Sequence, residues 1–165
     1  MFIVPSVSFA VLSDVHVETP AARPTYSEFS FVSVCPYLVL LGDIGLANDP
    51  RLFTFLEEQL SRYEIVFYVL GNHDPYDSDL NDRKERIRAF EERTSLQTNS
   101  HQGKFVYLDQ TRYDLTPTMT ILGCTLFSSI NLTQEAAIRL FVSDFERIQD
   151  WSIESHNEAY KSDVA

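Results

Sequence analysis

An α/β fold is the class this sequence predicts, on three observations. Three apolar runs, residues 8–12, 37–41 and 65–70, each end without a spacer in glycine or in residues carrying oxygen or nitrogen donors. Runs rich in branched and aromatic side chains are what strands covered on both faces look like. Between the second and third runs, and again after the third, lie segments with helical periodicity. Strands alternating with helices imply a parallel sheet, whose ligands collect at the carboxyl ends of the strands. The third observation is bulk: 165 residues with 44% hydrophobic and 13% aromatic content can bury one sizeable core. A single domain over residues 1–165 is expected.

Composition also excludes. A formal net charge of −11 argues against nucleic-acid binding through a general basic surface, a nuclease included, because that mode neutralises phosphates with Lys and Arg. A phosphate substrate remains compatible, since divalent cations reverse the local field. Cys35 and Cys124 lie in apolar, strand-like runs without metal-type spacing and read as buried thiols rather than a disulfide. Phe2 to Val4 is apolar but has no basic n-region, so a strand or its approach is expected rather than a signal peptide. No apolar stretch is long enough to span a bilayer, and a soluble cytoplasmic protein is expected.

The elements follow in order. After the first run, the proline-containing segment from Glu18 to Ser30 reads as a loop over the site. Behind the second run, Asp49 is an N-cap and Pro50 the first helical residue, with Leu52, Phe53, Phe55, Leu56 and Leu60 on one face of a helix reaching about Tyr63. From Asp79 to Leu96 a thin stripe of Leu80, Ile87 and Phe90 is surrounded by mixed charge, which predicts an exposed helix with solvated arginines. Residues 98–103 form a loop, with His101 on the surface. Residues 105–108 and 118–124 read as two further strands extending the sheet as a hairpin-like or adjacent pair, joined by a polar turn around Asp114 to Pro117. Asn131 is expected to cap a helix that carries Ala136, Ala137, Leu140, Phe141 and Phe145 to the core. A last helix begins at Ser155, with Glu158 completing a capping box, and is expected to be cut by the end of the chain at Ala165.

The run endings carry the chemistry. They are Ser13-Asp14-Val15-His16, Gly42-Asp43-Ile44-Gly45 and Gly71-Asn72-His73-Asp74. Each Asp or Asn alone is an ordinary turn residue, and each His alone an ordinary hydrogen-bonded one. At three successive strand ends they read together as a metal site. Asp14 and His16 can share one divalent ion, the Asp43 carboxylate can bridge to a second, and the Asn72 amide oxygen can serve that second ion. This donor mixture suits Mn, Fe or Zn better than Ca. Two such ions, about 3.5 to 4 Å apart, hold a phosphate ester and stabilise its entering and leaving oxygens. His73 is then placed to protonate the leaving alkoxide.

These three motifs, in this order and spacing, resemble the calcineurin-like metallophosphoesterase superfamily. The resemblance covers about Ser8 to Asp74 by motif, and residues 121–128 look like a later core strand of that family. It implies an α/β/β/α sandwich, incomplete at the C-terminus, and hydrolysis of a small phosphate mono- or diester. It implies roles too: Asp14 and His16 at the first metal, Asp43 bridging, Asn72 at the second, His73 as the acid. The family pattern adds a histidine after a further strand and a Gly-His-x-His motif, neither of which occurs here, so a truncated member is expected. His101 and His156 do not follow apolar strands and are not taken as ligands. Residues 44–48, Ile-Gly-Leu-Ala-Asn, lack the arginine of the Ser/Thr protein phosphatases, which favours a generic small-substrate phosphoesterase. The alternative expectation is a non-catalytic remnant acting as a binding or structural module.

Overall fold

Four runs of branched and aromatic residues lie side by side in chain order as one parallel sheet: β1 (Phe9–Leu12), β2 (Tyr37–Leu41), β3 (Ile65–Val69) and β4 (Lys104–Tyr107). This computed structural model describes residues 7–19, 25–26, 29–96 and 102–165. The expected N-terminal approach at Phe2–Val4, part of the loop at 18–30, and His101 fall outside the described residues. Register sets Leu12 opposite Leu40 and Leu41 opposite Val69, so the carboxyl ends of β1 to β3 finish nearly level. Whatever follows each strand therefore emerges at one edge of the sheet.

Alternate side chains of the sheet feed two cores. Leu38, Leu40, Val66, Tyr68, Phe105 and Tyr107 pack with two helices, α1 (Pro50–Leu60) and α2 (Leu80–Ser95). Phe67, Val69, Val106 and Leu108 pack on the other face against Tyr113, Leu115 and Ile121. Those three belong to an antiparallel hairpin, β5 (Thr111–Thr116) and β6 (Met119–Gly123). The layers are helix, parallel sheet, hairpin. Leu122 on the outer side of the hairpin is 74% exposed.

Both helices start as their caps require. Asp49 accepts from Arg51 N at 2.9 Å with Pro50 following, and Asp79 accepts from Asn81 N at 2.7 Å and Asp82 N at 3.1 Å. Such bonds satisfy donors that the first turn leaves unpaired. α1 stops at Leu60 rather than near Tyr63: past it Arg62 N turns back to Gln59 O at 2.9 Å in a tighter last turn, and the Leu60 carbonyl accepts from Gly103 N at 2.7 Å. α2 buries the expected stripe of Leu80, Ile87 and Phe90 plus Thr94. Arg88 and Arg93 form surface pairs with Asp109 and Glu57.

Several expectations are corrected. Residues 105–108 and 118–124 do not pair with each other: β4 joins β3 in the parallel sheet, and β6 joins β5. β5 covers residues expected as a turn; Tyr113 and Leu115 alternate with the exposed Arg112 and Asp114, a half-buried period-2 pattern that its polar residues obscure. Only Pro117 and Thr118 turn. Three helices follow: α3 (Glu135–Phe141), α4 (Asp144–Arg147) and α5 (Ile153–Asp163). α3 buries none of its residues, leaving Leu140 74% and Phe141 80% exposed, so it does not carry the expected core face. Asn131 does not cap α3; its side chain accepts from Thr133 N at 3.0 Å, one turn too early. α5 begins three residues before the expected start, with Ser152 as N-cap and Ser155, not Glu158, closing the capping box. Cys35 and Cys124 are free, as expected, but only partly buried and outside the strands. Of the described parts of the 18–30 segment, Glu18 stays at the strand ends, its Oε1 3.3 Å from His16 Nδ1, while Phe29 packs beside α1 with its ring 6.2 Å from that of Phe55. No helix among the described residues is long and apolar enough to cross a membrane.

The α2 cap offers a clean check. Asp79→Ala is expected to lower unfolding stability in urea by about 1 kcal/mol, and Asp79→Asn by only a few tenths, because asparagine keeps the accepting oxygen.

Candidate metal centre

The level strand ends place the candidate residues on three short loops that are tied to one another. Asp14 N donates to Gly42 O at 3.2 Å, His16 N to Asp43 O at 2.9 Å and Val17 N to Ile44 O at 3.0 Å. Asp14, His16 and Asp43 all have left-handed backbone, with φ of 53°, 49° and 53°. Non-glycine residues rarely adopt this conformation, and it concentrates at functional sites where the surroundings enforce it. Gly42, at φ 82°, makes the turn that lets Asp43 point back at the sheet edge.

Glycine also governs the closest approach. A Cβ on Gly42 would lie 2.7 Å from Gly71 Cα, and a Cβ on Gly71 would fall on the Asp43 backbone and carboxylate. The two loops therefore pack backbone to backbone. In return Asp43 Oδ1 accepts from His73 N at 2.9 Å, and the Asp74 carboxylate accepts from Asp43 N at 3.2 Å, from Gly71 N and from Tyr68 OH at 3.1 Å.

All five predicted site residues gather here. His16, Asp43 and His73 each offer a ligand atom, and these atoms all lie within 4.8 Å of one another. The rings of His16 and His73 are 5.0 Å apart. Asp14, Asp43 and Asn72 line an adjoining cavity of about 510 Å³, which Val69, Phe127 and Ile138 make partly apolar. Asp43 thus stands between an imidazole side and a carboxylate–amide side. Imidazole nitrogens and carboxylate oxygens at this separation fit a divalent transition-metal ion. His73, expected as an acid, also sits within ligand distance.

Neighbours orient these groups. His16 Nδ1 lies 3.3 Å from Glu18 Oε1; a carboxylate can only accept, so Nδ1 is the nitrogen that donates here and Nε2 is the one left to face a cation. His73 stacks on Tyr76 with ring centroids 4.4 Å apart, and Arg147 covers the other part of that ring at 4.7 Å. Asn72 Nδ2 donates to both oxygens of Asp144 at 3.1 Å. Tyr76 OH donates to the same carboxylate at 2.6 Å; burial first, and then this bond, pushes the phenol up to about 12.

Glu18, Tyr76 and Asp144 escaped sequence reasoning. Glu18 carried a signal, standing two residues after His16; Asp144, seventy-two positions from its partner, carried none. His156, not taken as a ligand, is buried, and its Nε2 lies 2.8 Å from Ser128 O while its ring packs against Phe127. It lines the far part of the same cavity.

The geometry agrees with what comparison finds. The sequence profile of the calcineurin-like phosphoesterase family matches residues 7–154. The chain belongs to that family. It is 30% identical over 115 residues to uncharacterized protein L509 of Acanthamoeba polyphaga mimivirus, a match that takes in 68% of this chain and 39% of that protein. Among solved structures, phosphopantetheinyl hydrolase (PptH) from Mycobacterium tuberculosis superposes with a TM-score of 0.66 at 14% identity, covering 94% of this chain and 61% of that one. The chain thus spans about two fifths and three fifths of these two relatives. The structural likeness shows the metallophosphoesterase fold, as the sequence motifs implied.

Two outcomes follow from the packing. Gly71→Ala forces the Asp43 carboxylate away; it is expected to cost about 1–3 kcal/mol and to abolish any rise in Tm expected of wild type on adding Mn²⁺. Thermal unfolding with and without the ion reads both. The second concerns Asp74, whose carboxyl is pushed up to about 8, mainly by burial, with Gly71 N–H opposing and the Asp43 charge adding. An unfolded Asp titrates near ~3.9, so between about pH 4 and 8 the folded state binds the extra proton and stability falls as pH rises. In EDTA, urea midpoints are expected to decline across that window for wild type, and this contribution is expected to vanish in Asp74→Asn.

Proposed function

We propose that this chain is a metal-dependent phosphoesterase, one domain over residues 1–165, hydrolysing a small phosphate mono- or diester at a pair of divalent ions drawn from Mn, Fe and Zn. The observation that carries the reading is the convergence of three strand-end motifs on Asp43, with imidazoles on one side and a carboxylate and an amide on the other. Family membership supports it. Asp14 and His16 would hold the first ion, Asp43 would be shared between the two, and Asn72 would serve the second. When bound, the ions polarise the phosphoryl oxygens and supply a nucleophile at neutral pH.

The remaining work falls to the chain itself. Glu18 keeps His16 in the tautomer that a cation needs. His73 delivers a proton from its ring to the leaving alkoxide, its plane set by the Tyr76 stack. The cavity beyond Asn72, about 510 Å³, has room for the alcohol portion of a small ester.

A non-catalytic binding module is the second reading, favoured by the exposed Leu132, Leu140 and Phe141 around α3. Loading with Mn²⁺ and assaying an aryl phosphate and an aryl phosphodiester separates the two. The enzyme reading expects turnover that EDTA removes and that Asp43→Asn lowers by about 100-fold or more, the loss expected when a preorganised electrostatic group is removed. Full activity in Asp43→Asn overturns the metal reading, and no turnover at any Mn²⁺ concentration favours the binding module.

A further inference from the structure

We propose that Asp144 is a positioning residue: it clamps the Asn72 carboxamide so that Oδ1, and not Nδ2, is the atom offered to a cation. The inference rests on the reading of Asn72 as a ligand and adds a residue to it. A free asparagine can turn either end of its amide toward an ion, and only the oxygen has a lone pair to give. Something must choose the end.

Asp144 is placed to choose. Its two carboxylate oxygens each lie 3.1 Å from Asn72 Nδ2. A carboxylate offers only lone pairs, so the amide group facing it must be the NH₂, and the planar amide then directs Oδ1 away from Asp144. Asp144 is itself buried and held: Tyr76 OH donates to its Oδ1 at 2.6 Å, and Ser143 Oγ lies 2.9 Å from the same hydroxyl. It also lines the cavity that Asp14, Asp43 and Asn72 share.

The segment carrying Asp144 is anchored to the loop it serves. Asp77 N donates to Arg147 O at 2.7 Å, and Gln149 N donates to Ser78 O at 2.9 Å. Arg147 grips the Asp77 carboxylate with Nε at 2.9 Å and a terminal nitrogen at 2.7 Å. Ile148 pairs with Ser78 as a parallel bridge. The short helix α4 is thus fixed to the residues just after the third motif, which keeps the clamp in register with Asn72. Partners that orient a metal ligand typically change affinity by about 10- to 100-fold when removed.

The test uses wild type, Asp144→Ala, Asp144→Asn and Tyr76→Phe, the last removing one donor to Asp144 while keeping the ring. In EDTA-treated protein, NMR is expected to show the Asn72 side-chain NH₂ exchanging slowly with water in wild type and fast in Asp144→Ala. Mn²⁺ titration followed by EPR is expected to give two ions in wild type. In Asp144→Ala the second is weakened about 10- to 100-fold, with the first unchanged. Asp144→Asn retains one accepting oxygen and is expected to lose less, as is Tyr76→Phe, which also carries the test if the alanine variant does not fold. Unchanged Mn²⁺ affinities in folded Asp144→Ala overturn the proposal. So does equal weakening of both ions together with a lowered Tm, the mark of a merely structural role. A slow Asn72 NH₂ in a wild type that binds no second ion overturns the two-ion reading as well, leaving Asp144 as a structural tie. A fast NH₂ with two ions bound overturns the clamp alone.

Discussion

The contact between the β2 and β3 strand ends is what the candidate centre depends on. Gly42 and Gly71 meet backbone to backbone, closer than any side chain would allow. At that distance the two loops lock each other: the Asp43 carboxylate accepts from His73 N–H, and the Asp74 carboxylate accepts from Asp43 N–H. Each loop supplies the hydrogen-bond partner that the other would otherwise lack, which is how buried polar groups at a sheet edge are tolerated. The left-handed backbone of Asp14, His16 and Asp43 is held by the same ties.

Charge is distributed to match. The chain is acidic overall, and its paired arginines and lysine hold carboxylates other than Asp14, Asp43 and Asp74: Arg51 with Asp49, Lys84 and Arg88 with Asp109, Arg93 with Glu57, Arg112 with Asp114, and Arg147, beside the site, with Asp77. Asp43, Asp74 and Asp144 are buried, and among the described residues their bonds come from N–H and O–H groups rather than from guanidinium or ammonium groups. Among the described residues, Asp43 and Asp144 thus face no lysine or arginine partner, which leaves a cation as their charge partner, and burial raises the stakes because charge is weakly screened there. Asp74, whose carboxyl is pushed up to about 8, keeps its proton at neutral pH and adds no charge. Burial also separates the roles of neighbours in sequence. Asp74, facing the core beneath the motif, braces the two loops, while Asp43 faces the imidazoles.

Much of this was legible in the chain. β2, α1, β3 and α2 follow from runs and caps that are local: a branched strand bounded by glycine, an Asp before a Pro, an Asp before a helical stripe. The five candidate residues were legible for the same reason, since each stands immediately beyond a strand whose end is easy to find. β5 was not, because its inward face consists of only Tyr113 and Leu115, too few to outweigh its polar neighbours. α3 misled in the opposite direction: its apolar residues suggest a buried face, yet none is buried.

The sequence by itself determined that strand ends would present carboxylate, imidazole and amide groups, because side-chain chemistry and strand periodicity are properties of consecutive residues. Only the tertiary structure decided how those groups are aimed. The parallel register brought three loops level, two glycines let them touch, and α4 returned from far along the chain to set Asp144 against Asn72. Orientation is a long-range property: it depends on which distant atoms accept or donate, and no local run of residues records that.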